Sequence, residues 1–299
     1  MPREQLVPVA PGVDLWVEER GDPDAPAVLL VMGAASSGLL WPPELVTALA
    51  REHRVVVYDH RDTGRSTGGS TYALRDLATD AVAVLDALGI ERAHVVGMSL
   101  GGMLVQLLLL DHPDRLRSAT LICTGALGGA PGEESAGPSA ELLAFWATMA
   151  EPRDDDAELA WRVEHWRLLN GTGTPFDPAE WARTEQRAAA HAGGFRSALP
   201  HATADQSGLE RGAELASVVV PRLVVEAPAD PAYPPPAAGH LAAALGPAAR
   251  LVTVPGMGHA LAGAVLPEFL AVLTDHLSRS GRAARQHGED ATDHEEHRP

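Results

Sequence analysis

The sequence predicts an α/β fold with a mostly parallel central sheet, helices on both faces of the sheet and an inserted helical cap. Two observations lead to this prediction. Short apolar, β-branched runs alternate with helical apolar periods along most of the chain, which is typical of a parallel sheet covered on both sides. Strand-like runs are missing between residues 126 and 217, where helix-like segments stand among Gly-rich and acidic stretches.

Seven runs are predicted to be strands. The run Val13–Glu19 alternates between apolar and polar residues, so we expect an early, half-exposed strand. The other runs are more continuously apolar, which indicates strands buried on both faces. They are Ala27–Met32, His53–Tyr58, Ala93–Val96, Ser118–Cys123, Pro221–Glu226 and Arg250–Val254.

Helices are predicted between these strands. Apolar residues in Leu77–Leu88 recur at the spacing of one helix face, and Gly89 ends that helix. The segment Gly101–Asp111 is apolar almost all round, so it is expected to be a helix in the middle of the protein. In the insertion, helix-like segments lie near Glu141–Ala150 and Asp156–Leu169.

These patterns divide the chain into a core and an insertion. Residues 1–125 and 218–280 are assigned to the core, and residues 126–217 are assigned to the helical cap. A length of 299 residues fits one α/β domain with an insertion better than two domains. Residues 281–299 have no apolar period and are charged, which predicts a disordered tail.

Charge and composition exclude several classes of partner. A net charge of −17 opposes nucleic-acid binding, which depends on basic side chains that neutralise phosphates. The N-terminus lacks a signal-peptide pattern, and no segment approaches the ~20 apolar residues of a membrane span, so a cytoplasmic protein is expected. The single cysteine, Cys123, is interpreted as a buried strand thiol.

The segment most informative about chemistry lies around Ser99. Residues 93–102 read Ala-His-Val-Val-Gly-Met-Ser-Leu-Gly-Gly, an apolar strand followed by Gly-x-Ser-x-Gly and an apolar helix. A turn this tight crowds the residues two before and two after the serine, and Gly97 and Gly101 occupy those positions. Ser99 is therefore predicted to be a nucleophile exposed at the carboxyl edge of the sheet.

A serine nucleophile needs a base to take its proton and an acid to orient that base. In proteins with this turn the acid and then the histidine follow the serine along the chain. His259 follows the last predicted strand in a Gly-rich loop, and we predict that it is the base. Asp230 lies just after the strand that ends at Glu226 and is the predicted acid, with Glu226 itself as the rival.

Two backbone N–H groups are predicted to bind the oxyanion of the reaction. Leu100 lies at the start of a helix, where the dipole favours negative charge. Ala34 lies in the loop after the buried strand Ala27–Met32, which supplies the second donor in such sites. The chemistry of these five residues requires no metal and no redox cofactor, and none is expected.

The cap holds seven of the thirteen aromatic residues. One interpretation is that they form the cap's own core. The other is that some of them line an apolar slot above the nucleophile. The seven residues are Phe145, Trp146, Trp161, Trp166, Phe176, Trp181 and Phe195.

The chain resembles the α/β-hydrolase superfamily and, within it, the aclacinomycin methylesterases of anthracycline tailoring. In that resemblance Ser99, Asp230 and His259 match the triad, and Ala34 and Leu100 match the oxyanion positions. Two departures are the alanine at position 34, where the family is expected to have glycine, and the apolar Pro228-Ala229. The segments that carry the likeness are 31–33, 58–66, the turn around Ser99, 171–177 and 255–261.

The function expected from these residues is hydrolysis of a carboxylic ester. The resemblance implies a methylesterase that acts on a polyketide-type or other bulky small-molecule ester. A lactonase or a C–C bond hydrolase with the same triad stays open, and so does a non-catalytic small-molecule-binding homologue. No nucleic-acid or membrane partner is expected.

Overall fold

In a computed structural model of the protein, eight strands in the described part of the chain form one sheet. The structure describes residues 2–69, 71–129 and 137–295, with side chains as far as Gly281. The strands are β1 (Arg3–Ala10), β2 (Val13–Arg20), β3 (Ala27–Val31), β4 (Arg54–Tyr58), β5 (Ala93–Met98), β6 (Leu116–Ile122), β7 (Arg222–Glu226) and β8 (Arg250–Thr253).

The sheet is parallel except at one edge. Its order is β1-β2-β4-β3-β5-β6-β7-β8, with β1, β2 and β4 pairing antiparallel and the pairs from β4 to β8 parallel. The predicted α/β fold is therefore confirmed. Because parallel strands end at one edge, the loops after β3, β5, β7 and β8 meet there, and that is where ligands bind in such sheets.

Helices cover both faces of the sheet. On one side α2 and α3 pack with α8 on an apolar cluster, and on the other side α1 packs with α9. The helices are α1 (Pro43–Leu49), α2 (Leu74–Ala87), α3 (Leu100–Asp111), α4 (Ala140–Trp146), α5 (Asp155–Asn170), α6 (Pro178–Ala192), α7 (Leu199–Thr203), α8 (Ala237–Ala244) and α9 (Leu266–Glu295). None of these described helices has both the length and the apolar character that a membrane span needs.

Two strands differ from the sequence-based expectation. β2 is mostly buried rather than half-exposed because β1, which the sequence did not predict, covers its outer edge. The buried Glu19 of β2 is compensated by an ion pair with Arg54 at 2.5 Å. β8 alternates between exposed and half-buried residues because it lies at the opposite edge of the sheet, so the expectation of burial on both faces was wrong.

Among the described residues between β6 and β7, in the segment assigned to the cap, there are four α-helices, α4 to α7. The helices α4 and α5 correspond to the predicted ones, whereas α6 and α7 were not predicted. In α6 only Trp181 and Glu185 are buried, so its sequence lacks a continuous apolar stripe. The helix α9 continues to Glu295, into the segment for which a disordered tail was predicted; residues 296–299 lie outside the described residues, and the division into core, cap and tail stays a prediction.

Candidate active site

Ser99 lies in a strained turn between β5 and α3. Its backbone has φ +55° and ψ −120°, a conformation that non-glycine residues rarely adopt. A Cβ at Gly97 would overlap the carbonyl of Gly101, and a Cβ at Gly101 would overlap the carbonyl of Val31. The two glycines of the motif are thus required by the close approach of backbones.

The loops after β7 and β8 bring an acid and a base together. The Nδ1 atom of the His259 ring lies 2.9 Å from Oδ2 of Asp230, and both residues are buried. The two loops are joined directly, because the N–H of Ala229 donates to the carbonyl of Met257 at 2.9 Å. The ring is therefore oriented by a carboxylate that is itself held in place.

The second carboxylate oxygen of Asp230 accepts two backbone hydrogen bonds. Ala232 N–H donates to Oδ1 at 2.7 Å and Tyr233 N–H donates at 3.0 Å. Burial alone would raise the pKa of Asp230, but the adjacent His259 and these N–H groups hold that pKa below its ordinary value. The carboxylate is therefore ionised at neutral pH, and it fixes the proton of His259 on Nδ1.

Ser99 and His259 line the same cavities, but no hydrogen bond joins the Ser99 hydroxyl to the His259 ring among the described residues. Such contacts are often long in the absence of substrate and tighten in the Michaelis complex. The structure therefore joins two of the three predicted triad members directly and places the third beside them.

The two residues predicted to supply the oxyanion donors line one cavity together with Ser99. Leu100 is the first residue of α3, so its N–H has no acceptor within the helix. Neither this N–H nor that of Ala34 is taken up by another group in the part of the chain that the structure describes. Ala34 lies beside Ser99 in both cavities, and Gly33 leaves the Ser99 side chain room.

Two cavities meet at Ser99 and His259. The one under the cap has a volume of about 270 Å³ and the other has a volume of about 420 Å³. The first is lined by three tryptophans of the cap, Trp146, Trp161 and Trp166. The second is lined by Leu74, Met103 and Tyr233. Both interpretations of the cap aromatics thus hold, because the buried Trp181 does not line either cavity and stacks on Trp166 with ring centroids 4.3 Å apart.

The group Cys123, Asp230 and His259 has the composition of a metal site, with its ligand atoms within 4.8 Å of one another. Burial and the charge of Asp230 raise the pKa of the Cys123 thiol well above its usual value. Since the thiolate is the form that binds metal, this environment disfavours a metal there. The Asp230 carboxylate and the His259 ring are already bonded to each other.

Residues 26–262 match the model of a protein family described as alpha/beta hydrolase fold. The chain belongs to this family. The hydrolase is 44% identical, over 88% of its own length and 95% of the relative's, to rhodomycin D methylesterase DauP of Streptomyces sp. (strain C5). It is equally similar, over the same shares, to rhodomycin D methylesterase DnrP of Streptomyces peucetius.

Among solved structures, a hydrolase from Pseudomonas aeruginosa PA01 has a TM-score of 0.71 and 27% identity, covering 92% of this chain and 98% of that one. The identity to the two rhodomycin D methylesterases confirms the resemblance to methylesterases that the sequence predicted. These relationships establish a hydrolase of the esterase type.

Two histidines of the cap line these cavities and were missed by the sequence analysis. The Nε2 atom of His165 accepts from the Trp146 indole N–H at 2.9 Å, and burial lowers its pKa to about 3. His165 is therefore neutral and carries its proton on Nδ1. His201 of α7 reaches the loop after β3. No local motif marks either residue, because each acts through contacts between distant parts of the chain.

Proposed function

We propose that the hydrolase is a serine methylesterase in which Ser99, His259 and Asp230 form the triad and the N–H groups of Ala34 and Leu100 form the oxyanion hole. The hydrogen bond between Asp230 and His259, next to a serine in a strained strand-to-helix turn, carries the proposal. The identity to rhodomycin D methylesterases supports a methyl ester as the substrate.

The chemistry proceeds in two acyl-transfer steps. Nε2 of His259 takes the proton of Ser99 Oγ while Oγ bonds to the ester carbonyl carbon, and the carbonyl oxygen becomes an anion. When the C–O bond breaks, His259 gives its proton to the departing methanol oxygen. Water then loses a proton to His259 and attacks the acyl-enzyme, and Ser99 Oγ recovers the proton as the carboxylic acid leaves.

The cavities support a bulky acyl group. Methanol is small, so most of the space beside Ser99 is available to the acid part of the ester. Known ligand pockets have volumes of ~300 to 1,000 Å³, and the two cavities taken together lie in that range. The tryptophans of the cap offer flat apolar faces. A flat, polycyclic acid part is the substrate class that this lining favours.

The proposal is tested with Ser99→Ala and a covalent probe. Phenylmethylsulfonyl fluoride is expected to add one sulfonyl group to the wild type, located at Ser99 by peptide mass mapping, and none to Ser99→Ala. The variant is expected to lose at least about ten-thousandfold in kcat on a polycyclic methyl ester. An unmodified wild type, or a variant with full esterase activity, would contradict the triad.

The substrate class has a separate test. Rates on the methyl ester of a tetracyclic acid and on methyl butyrate are compared in the same protein. We expect kcat/KM to be higher for the tetracyclic ester because only that acid part contacts the tryptophans. Equal values would reject the bulky substrate and leave the triad in place.

A further inference from the structure

The loop that follows β3 is held by a histidine from the cap. Nδ1 of His201 lies 2.9 Å from the N–H of Ala35, and Nε2 lies 2.8 Å from the carbonyl of Arg61. An amide N–H only donates and a carbonyl only accepts, so both bonds form only if Nε2 carries the proton and Nδ1 does not. The two contacts therefore require one tautomer of a neutral ring.

The bond to Ala35 is made where the loop needs support. Ala35 has φ +56°, a left-handed conformation that non-glycine residues rarely adopt. The N–H groups of Ala34 and Ala35 flank the same Cα atom, so fixing one peptide plane restricts the other. On the other side of Ala34, Nε2 of His60 donates to the carbonyl of Met32 at 3.0 Å.

We propose that His201 is a positioning residue of the oxyanion hole, which holds the Ala34 N–H toward the reacting carbonyl by accepting a hydrogen bond from the adjacent amide. The inference rests on the proposed function, since it takes Ala34 as an oxyanion donor. Because His201 belongs to α7, the seating of the cap on the core completes the oxyanion hole. The cap thus takes part in the reaction beyond shaping the cavity.

The surroundings of His201 keep the ring neutral. His60, Arg61 and Tyr72 face it from the core, and the ring of His60 lies 5.9 Å away between centroids. Burial lowers the pKa of His201 and outweighs the opposing charge of Asp62. A proton on Nδ1 would turn the acceptor into a donor facing the N–H of Ala35, so the bond is expected to be kept at neutral pH and lost in acid.

Two substitutions separate the two bonds of the ring. In His201→Asn the side-chain oxygen, like Nδ1, is attached to Cγ and accepts from Ala35. In His201→Gln the terminal amide nitrogen takes the place of Nε2 and donates to Arg61, while nothing replaces Nδ1. We expect His201→Gln to lower kcat by about tenfold to a hundredfold with little change in KM, because a displaced oxyanion donor affects the transition state. We expect His201→Asn to stay within about threefold of the wild type, which is less than the net effect of one typical hydrogen bond.

A structural role alone predicts a different outcome. If His201 only fills space, the two variants lose kcat to the same extent, and that result overturns the proposal. A His201→Gln variant with wild-type kcat overturns it as well. Should that variant fail to fold, His201→Leu, which removes both bonds and fills the space, replaces it in the comparison with His201→Asn.

Hydrogen–deuterium exchange of the segment 32–37 gives a readout that needs no turnover. Exchange is expected to be faster in His201→Gln and unchanged in His201→Asn. If the wild type hydrolyses no ester and the three proteins still differ in exchange in this way, the proposed function fails while the positioning contact stands. Exchange that is the same in all three proteins overturns the inference, whatever the esterase activity.

Discussion

Replacing Asp230 with asparagine changes one atom of the proposed triad and leaves its shape intact. Oδ1 accepts from the N–H groups of Ala232 and Tyr233, so the asparagine oxygen must stay at that position. Its NH₂ group then faces Nδ1 of His259, where Oδ2 now lies at 2.9 Å. Nδ1 must accept that hydrogen bond, so the ring proton moves to Nε2, and the ring no longer has a lone pair for the proton of Ser99.

The wrong tautomer is expected to lower kcat by about ten-thousandfold, equivalent to ~5 kcal/mol of transition-state stabilisation. The assay measures kcat and KM by methanol release from a polycyclic methyl ester at pH 8. KM is expected to change little, because the backbone contacts of residue 230 are kept. Retention of more than a tenth of the wild-type kcat would refute the reasoning.

Glu226→Gln is the matched control, because Glu226 is the rival acid on the same strand end. Its Oε2 accepts from the Thr253 hydroxyl at 2.7 Å, and among the described residues it makes no hydrogen bond to His259. We expect activity within about twofold of the wild type, as for surface changes away from the site. A large loss of kcat here, with Asp230→Asn active, would move the acid to Glu226.

Three further outcomes are expected. Gly101→Ala should yield no soluble folded protein in a circular-dichroism assay, because its Cβ would overlap the backbone of Val31. Asp59→Asn should lose about 2–3 kcal/mol of stability at pH 7, since a buried carboxylate loses its bond to His191 at 2.8 Å. Burial would raise the pKa of Asp59, but its hydrogen bonds hold that pKa below the ordinary value. The stabilising effect of the carboxylate is therefore full above about pH 4 and fades in more acidic solution. In urea titrations, the free energy of unfolding should differ less between pH 7 and pH 3 for the variant than for the wild type. Ala34→Pro, which lacks the N–H, should lower kcat and spare product binding measured by fluorescence quenching.

The sequence could predict the core because local constraints determine it. The turn around Ser99 leaves no room for side chains at the flanking glycines, so its pattern is strict. Strands buried on both faces are continuously apolar, and β3 and β5 were found for that reason. Near the two edges of the sheet, the sequence pattern does not predict burial correctly. The burial of β2 depends on its partner strand β1 and on an ion pair that no local pattern encodes. The apolar β8 is partly exposed because it is itself an edge strand.

The cap could be predicted as an insertion but not in its contacts. Neither His191 nor His201 was assigned a role in the site from the sequence. In the structure His191 bonds Asp59 and His201 bonds Ala35, over sequence separations of 132 and 166 residues. A buried histidine of this kind has no flanking motif, so only the folded structure identifies its partners.

The cap also supports the loops that carry the proposed acid and base. The carbonyl of Leu169, at the end of α5, accepts from the N–H of His259 at 2.8 Å. A side chain at Gly171 would overlap the backbone of Ala229, and one at Gly173 would overlap the backbone of Gly256. The glycines after α5 therefore allow the cap to approach the backbones of the loops after β7 and β8 closely. Since the same insertion lines the cavity, positions His201 and seats His259, changes in the cap are expected to alter turnover and substrate choice together.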